Sequence, residues 1–245
     1  MPAVPPAVEL IALPARGRRY TGTAEVRLGD TDAAGRLRLD ATARHLQDVA
    51  NDDARDAALL NANGWVVRRT LVAVRRPARL GEMLALTTFC AGTGRSWAER
   101  RTAITGDGGA HIEATSLWVQ VDMATGRPQA LDEHFHARYG EAAGGRTVSS
   151  RLSLPAPGPA AEPQPWLVRA SDLDVFGHVN NAVAWAVLEE ELASVGVGVG
   201  EVEYLAPLDR QPVTRLVERP AENTLSTWLV TTDGATRLAA RWTTS

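Results

Sequence analysis

The feature that most constrains this chain is a match to itself. Residues 26–37 read VRLGDTDAAGRL and residues 168–179 read VRASDLDVFGHV. At an offset of 142 the Val, the Arg, both Asp and the Gly coincide, five positions in twelve. A period this long exceeds any solenoid unit and points to a duplicated domain. The surroundings repeat as well. A short alternating stretch precedes each copy, TGTAEVRL and QPWLVRA, and a helical segment follows each. In the first segment Leu39, Ala43, Leu46, Ala50 and Ala57 fall at helical spacing, with Asp40 as a candidate cap. In the second, Ala184, Val187, Leu188 and Leu192 make the apolar face, with Asn180 or Asn181 as the cap.

Strand-like runs come after each helix. The first half offers WVVRRTLVAV, EMLALTTFCAG, RSWAERRTAITG and HIEATSLWVQVD; the second offers GEVEYLAPL, PVTRLVERP, NTLSTWLVTT and TRLAARWTT. Gly106-Asp107-Gly108-Gly109 and Thr232-Asp233-Gly234-Ala235 are hairpin signals. Each half therefore reads strand, long helix, four strands. Residues 141–165 between them are rich in Gly, Ala, Pro and Ser, a linker composition. A long helix followed by a meander must bury its apolar face against the sheet. The expected class is α+β, two tandem units with a long central helix wrapped by a curled antiparallel sheet, residues 1–140 and 166–245. Two such units would pack side by side as two subunits do in a symmetric dimer.

Composition removes several classes of function. All 26 basic residues are Arg, so no lysine nucleophile or Schiff base is possible. The net charge of −3 and pI near 6.0 argue against nucleic acid as a partner. A single cysteine, Cys90, excludes an internal disulfide framework or a Cys-rich metal module and reads as a small buried residue. No apolar run reaches the length of a membrane span, and the proline-broken start MPAVPPAVELIALPARG lacks the basic opening of a secretory signal. A cytoplasmic location is expected. No Gly-x-Ser-x-Gly elbow, Walker loop or His-Glu-x-x-His occurs, and Gly196-Val197-Gly198-Val199-Gly200 is a glycine-rich turn before a strand rather than a dinucleotide fingerprint.

The segment Asp-x-Asp-x-x-Gly-His-Val-Asn-Asn, Asp172 to Asn181, resembles the signature at the start of the central helix in hotdog-fold thioesterases. Together with the double layout, it makes the chain similar to the acyl-acyl carrier protein (acyl-ACP) thioesterase family from about Tyr20 to Trp242. That resemblance implies two tandem hotdog units, hydrolysis of fatty acyl thioesters, and acyl carrier protein or acyl-CoA as the carrier of the substrate. It implies water as co-substrate, no metal or organic cofactor, and a monomer that is itself a pseudo-dimer, or a homodimer. It also implies Asp174 and His178 as the catalytic pair. Two departures stand out. Plant members carry Asn where this chain has Phe176. They also carry Glu-Cys after a Glu-Tyr pair; if Glu203-Tyr204 is that pair, those positions are Pro207 and Leu208.

Thioester hydrolysis needs donors for the carbonyl oxygen and an attack on the carbonyl carbon, while the thiolate leaves readily. A helix N-terminus offers unpaired N–H groups and positive potential. Gly177 has no Cβ to hold substrate away from the backbone. Asp174 can act as nucleophile or as general base for water. His178 can position the carbonyl or hold Asp174, and Asn180 and Asn181 can cap the helix or bind substrate. The bland alternative is that Asp-x-Asp is only an Asx turn with a cap.

The first copy keeps Asp32 but has Arg36 and Leu39 where the second has His178 and Asn181, which reads as a degenerate half serving as scaffold and acyl pocket. Asp48, Asp52 and Asp53 read as a solvated helix face, and His134 and His136 as a solvated segment. Arg68, Arg69, Arg75, Arg76 and Arg79 suit an acidic carrier or a CoA phosphate if alternation gathers them, but read more simply as solvated surface. The rivals to hydrolysis are a non-catalytic acyl-thioester-binding protein and a hotdog enoyl-thioester hydratase.

Overall fold

The structure is a computed structural model that describes residues 10–59 and 63–244. The first nine residues of the proline-broken start lie outside the described residues. The elements run β1 (Tyr20–Glu25), α1 (Leu39–Asp56), β2 (Asn63–Arg76), β3 (Met83–Thr93), β4 (Trp97–Gly106), β5 (His111–Asp122), α2 (Glu133–Ala143), β6 (Glu162–Trp166), α3 (Ala186–Glu189), β7 (Gly198–Tyr204), β8 (Val213–Ala221), β9 (Thr224–Thr231) and β10 (Thr236–Thr244). The ten strands form one antiparallel sheet in the order β1-β3-β4-β5-β2-β7-β10-β9-β8-β6. The first five strands occupy one side and the last five the other, in mirrored order. All eight strand-like runs read from the sequence are strands, and both hairpin signals connect neighbours.

The two sets meet where β2 pairs with β7, from Arg69 opposite Glu203 to Val74 opposite Gly198. The glycine run is part of that junction. A Cβ on Gly198 would lie 2.6 Å from the Trp242 ring, and one on Gly200 would lie 2.8 Å from the Trp185 ring. Both indoles are fully buried, so β7 must be bare where they cross it. The glycines therefore belong to the start of a strand as well as to the turn before it.

α1 presents the expected apolar face, with Leu39, Ala43, Leu46, Val49 and Ala50 buried in its 18 residues. Its cap differs from expectation. Asp40 lies inside the first turn, paired with Arg38, and the N–H groups of Leu39 and Asp40 are taken by the Glu189 carboxylate at 2.5 and 3.3 Å. The cap is supplied from 150 residues away, at the end of α3.

The second central helix is not long. A 3-10 turn, Val183–Trp185, leads into four α-helical residues, Ala186–Glu189. Ala184, Val187 and Leu188 are buried as their spacing predicts. The segment stops early because its polar residues are drawn off by neighbours. Glu189 caps α1, Glu191 pairs with Arg215 and Arg219 at 2.7 and 2.9 Å, and the Ser194 hydroxyl reaches Asp32 at 2.7 Å. Tertiary partners thus outweigh local helix propensity here.

α2 was not expected from the sequence. Asp132 caps it by accepting from the Phe135 N–H at 2.8 Å, and Gly144 closes it in the left-handed conformation (φ 57°). Its buried face is Phe135, Tyr139, Ala142 and Ala143, so His134 and His136 lie on the exposed side of a helix, solvated as expected. Among the described residues, no helix is long and apolar enough to cross a membrane.

Burial, reinforced by the nearby Asp40 carboxylate, pushes Glu189 up to about 8. Between the ordinary carboxylate range and pH 8 the folded chain therefore holds a proton that the unfolded chain releases. Glu189 stabilises the fold most in mild acid, and that contribution fades as pH rises toward 8. Glu189→Gln is expected to lose this part of the decline. The check is the thermal midpoint of wild type minus variant from pH 5 to 8; a pH-independent difference refutes the assignment.

Candidate active site

The self-match becomes a repeated turn. Val26 and Val168 are buried anchors. Asp30 closes a 3-10 turn onto the Arg27 N–H at 2.9 Å, and Asp172 does the same to Arg169 at 2.7 Å. Asp32 Oδ1 accepts from the N–H groups of Ala34 and Arg36 at 2.9 Å; Asp174 Oδ1 accepts from those of Phe176 and His178 at 2.9 and 3.4 Å. The Asp174 N–H donates to the His178 carbonyl at 2.8 Å, as Asp32 does to Arg36. Gly35 and Gly177 occupy positive φ, 72° and 79°, which explains their coincidence in the repeat. The conserved spacing is thus first a device for folding a tight turn.

The copies part company at the second carboxylate oxygen. Asp32 Oδ2 accepts from the Ser194 hydroxyl at 2.7 Å and from the Val195 N–H at 3.3 Å. Burial works against the Asp32 charge, but the backbone N–H of Arg36, the Ser194 hydroxyl and the N–H groups of Ala34 and Val195 outweigh it. They hold that carboxyl below its usual range. Arg36 is likewise engaged, donating to the Val195 carbonyl at 3.2 Å. Asp174 Oδ2 has no comparable partner among the described residues.

The same turn carries His178, whose Nε2 lies 3.5 Å from Asp209 Oδ1. Asp209 comes from the stretch after β7, which runs antiparallel to the turn through the Val179 N–H to Leu208 carbonyl bond at 2.7 Å. The plant-type pattern would put Glu-Cys at Pro207 and Leu208; the acid that faces His178 here is Asp209, at the next position. Glu203 and Tyr204 are structural. The buried Glu203 carboxylate accepts from the N–H groups of Ser153 and Leu154, and the Tyr204 hydroxyl donates to the Asn181 carbonyl at 2.9 Å.

The other predicted residues are close by with narrower roles. Asn180 Oδ1 accepts from the Ala182 N–H at 2.8 Å, an Asx turn ahead of the 3-10 segment, whose N-cap position is Ala182 and not either Asn. The Gly177 N–H is spent on the Asp174 carbonyl at 3.0 Å and is not free for substrate, although a Cβ at Gly177 would meet nothing within 4 Å. The short 3-10 segment after the turn does not provide the strong dipole expected of a long helix. The Asn181 side chain borders a small space between α1 and β5.

A cavity of about 430 Å³ opens beside the turn. Gln47, Ala50, Asn51 and Ala54 of α1 form one wall; Trp65, Cys90, Trp118, Phe135 and Tyr139 form much of the rest. Phe176, between Asp174 and His178, is part of its lining, whereas Asp174 and His178 themselves are not. Cys90 is one of its buried apolar linings, and burial pushes the thiol up to about 11.

Asp53, expected on a solvated face, is instead 1% exposed beside this cavity. It accepts from Arg18 at 2.7 Å, Arg100 at 2.5 Å and the Tyr139 hydroxyl at 2.7 Å. No local signal distinguishes it from Asp48 and Asp52, because its partners come from three other segments. Of the arginine cluster, Arg68 and Arg69 are bound to backbone carbonyls while Arg75, Arg76 and Arg79 are exposed.

Comparison with known proteins identifies the family. Residues 17–139 match the acyl-ACP thioesterase N-terminal domain, and residues 159–197 match the acyl-ACP thioesterase C-terminal domain. The chain belongs to the acyl-ACP thioesterase family. It is 30% identical over 211 residues to an uncharacterized protein of Mycobacterium tuberculosis, covering 84% of each chain. An acyl-ACP thioesterase from Bacteroides thetaiotaomicron shares its fold with a TM-score of 0.78 at 18% identity, over 92% of this chain and 97% of that one. A 12:0-ACP thioesterase from Umbellularia californica does so with a TM-score of 0.76 at 20% identity, over 93% and 97%. The fold is thus the hotdog type of the thioesterases.

Replacing Asp53 would leave the Arg18 and Arg100 guanidiniums without their shared counter-charge. Asp53→Ala is expected to lower the unfolding free energy by about 3 kcal/mol, measured by urea denaturation. A loss within error would show that the pair is held by solvent instead.

Proposed function

We propose that this chain hydrolyses fatty acyl thioesters carried on acyl carrier protein, with Asp174 and His178 as the catalytic pair. Membership of the acyl-ACP thioesterase family supports the reaction class. The observation that carries the site is the contrast between two equal turns. The Asp32 carboxylate is locked by Ser194 and Val195, while Asp174 keeps one oxygen unclaimed in the turn that also carries His178 and Phe176, the latter lining a cavity of about 430 Å³.

The chain is two tandem hotdog units. Residues 1–140 form the first, with the degenerate motif; 141–165 join them; 166–245 form the second, which bears the site. The mirrored strand order supports this division. The acyl chain lies along α1, entering past Phe176 and Gln47 and running toward Ala54 and Tyr139. The seven helical steps from Gln47 to Ala54, about 1.5 Å each, make that path roughly 10 Å long.

Asp174 acts as general base. Its free oxygen takes a proton from water as the water oxygen attacks the carbonyl carbon. The tetrahedral intermediate then collapses, the C–S bond breaks, and the thiolate leaves with little need of acid assistance. The His178 Nε2 is turned to Asp209, which leaves Nδ1 to orient the thioester. Phe176, in the place of an amide side chain, makes the lip of the cavity apolar.

Asp174→Asn retains the Oδ1 acceptor of the turn and removes the base. It is expected to lower kcat by about 10²-fold or more with the thermal midpoint near that of wild type, whereas Asp32→Asn should cost stability and spare kcat. Thiol release from acyl-ACP and acyl-CoA substrates of graded chain length gives both readings. Wild-type rates in Asp174→Asn would remove this residue from the mechanism. Binding of acyl thioesters with no thiol release would make the chain a binding protein, and water addition to an enoyl thioester without thiol release would make it a hydratase.

A further inference from the structure

The tip of the second turn carries two exposed apolar side chains, Val175 at 94% and Phe176 at 63%. The first copy has Ala33 and Ala34 at these positions, so the turn itself does not need the bulk. The backbone of the tip is fixed. The Phe176 N–H donates to Asp174 Oδ1 at 2.9 Å, the Gly177 N–H donates to the Asp174 carbonyl at 3.0 Å, and Gly177 holds a φ of 79°. Among the described residues from Asp172 to His178, Phe176 alone lines the cavity of about 430 Å³. One residue thus touches the Asp174 carboxylate through its N–H and borders the acyl cavity with its side chain.

Single exposed apolar residues are common on protein surfaces. A ring left open on the lining of a cavity, two residues from a reactive carboxylate, is instead placed to be covered by what enters. The order of atoms along the substrate says which part covers it. The carbonyl carbon must lie within reach of the water that Asp174 activates, and the hydrocarbon chain leads from that carbon into the cavity. Phe176 joins those two places, so the carbons next to the carbonyl, C2 and C3, meet its ring. C–H groups there leave water for an apolar face, which is favourable. A hydroxyl on C3 leaves water and finds no hydrogen-bond partner on the ring, which is costly. Elsewhere in the lining Glu99 accepts from Arg146 at 2.6 Å, and Asp53 takes Arg100 at 2.5 Å and the Tyr139 hydroxyl at 2.7 Å. That leaves the Gln47 and Asn51 amides of α1 as the lining groups able to rescue an oxygenated chain.

We infer that Phe176 packs on C2 and C3 of the acyl group and makes the site select thioesters whose chain is plain hydrocarbon there over those with a hydroxyl on C3. The selection lives in one side chain. An amide in the same place would present a donor and an acceptor to the same carbons. The inference rests on the thioesterase reading above and adds to it the class of acyl chain.

The test compares thiol release from a saturated acyl-CoA and from its 3-hydroxy counterpart of equal length, by wild type, Phe176→Leu and Phe176→Asn. Wild type is expected to favour the saturated chain by on the order of 10²-fold in kcat/KM, the discrimination an apolar wall gives against an added hydroxyl. Phe176→Leu keeps the wall apolar and is expected to keep most of that ratio. Phe176→Asn is expected to lower it by about tenfold or more, with the thermal midpoint near that of wild type because the ring is exposed. Equal kcat/KM for the two substrates in wild type overturns the selectivity, and shows that the α1 amides accept the hydroxyl. A ratio that Phe176→Asn leaves unchanged overturns the assignment to Phe176 while the reaction class stands. Wild-type protein that releases no thiol from any acyl thioester would sink the thioesterase reading itself. Where turnover is absent, in wild type or in a variant, the ratio of Kd for the same two acyl-CoAs decides by the same criteria, read from tryptophan fluorescence because Trp65 and Trp118 line the cavity. Should Phe176→Asn fail to fold by circular dichroism, Phe176→Ser takes its place.

Discussion

The antiparallel ladder between β2 and β7 sets everything else in place. It joins the first five strands to the last five in one continuous sheet, and it removes two edges that would otherwise be open to pairing with other chains. Its geometry demands bare backbone at Gly198 and Gly200, where Trp242 and Trp185 cross. Because β2 and β7 are neighbours, α1 from one half lies against the segment after the turn of the other. The bond from Glu189 to the N-terminus of α1 and the shared space between Gln47 and Asn181 both follow from that adjacency.

On this frame one turn is built twice, with the same hydrogen bonds at the same positions, and only its surroundings differ. Ser194 and Val195 close over Asp32, and Arg36 reaches across to the same segment. At the second copy the Asp174 carboxylate has no such cover; His178 faces Asp209, and Phe176 lines the cavity of about 430 Å³. The two copies of the turn thus differ in their surroundings and not in the turn itself. In the first copy both oxygens of Asp32 are bound; in the second, Asp174 Oδ2 has no such partner among the described residues. The buried ion cluster of Asp53, Arg18, Arg100 and Tyr139 sits beside the cavity, binding α1 to α2 and β4.

What could be read from the residues were the features whose partners are close in the chain. The Asx turn at Asp174 uses donors two and four residues on, and α1 shows its face through Leu39, Ala43 and Leu46 at helical spacing. α2 was within reach by the same logic, since Asp132, Phe135, Tyr139 and Gly144 spell a cap, an apolar face and a terminator. The short α3 was not within reach. Its apolar spacing is that of a longer helix, and the side chains that end it go to Arg215, Arg219, α1 and Asp32.

The amino-acid order alone determined the self-match, the α+β class, the eight strands that follow the two turns, and the turn that runs from Asp174 to His178. Those depend on periodicity and on bonds spanning a few residues, which recur wherever the pattern does. Only the tertiary structure decided which of two equal carboxylates stays open, that Asp209 faces the imidazole, and that Asp53 is buried. It also decided that Gln47 and Trp118 line the same cavity as Phe176. Each of these turns on a partner tens of residues away or more, as with Ser194, 162 positions from Asp32. A hydrogen bond of that range is set by where the sheet carries the chain, and no local pattern encodes it.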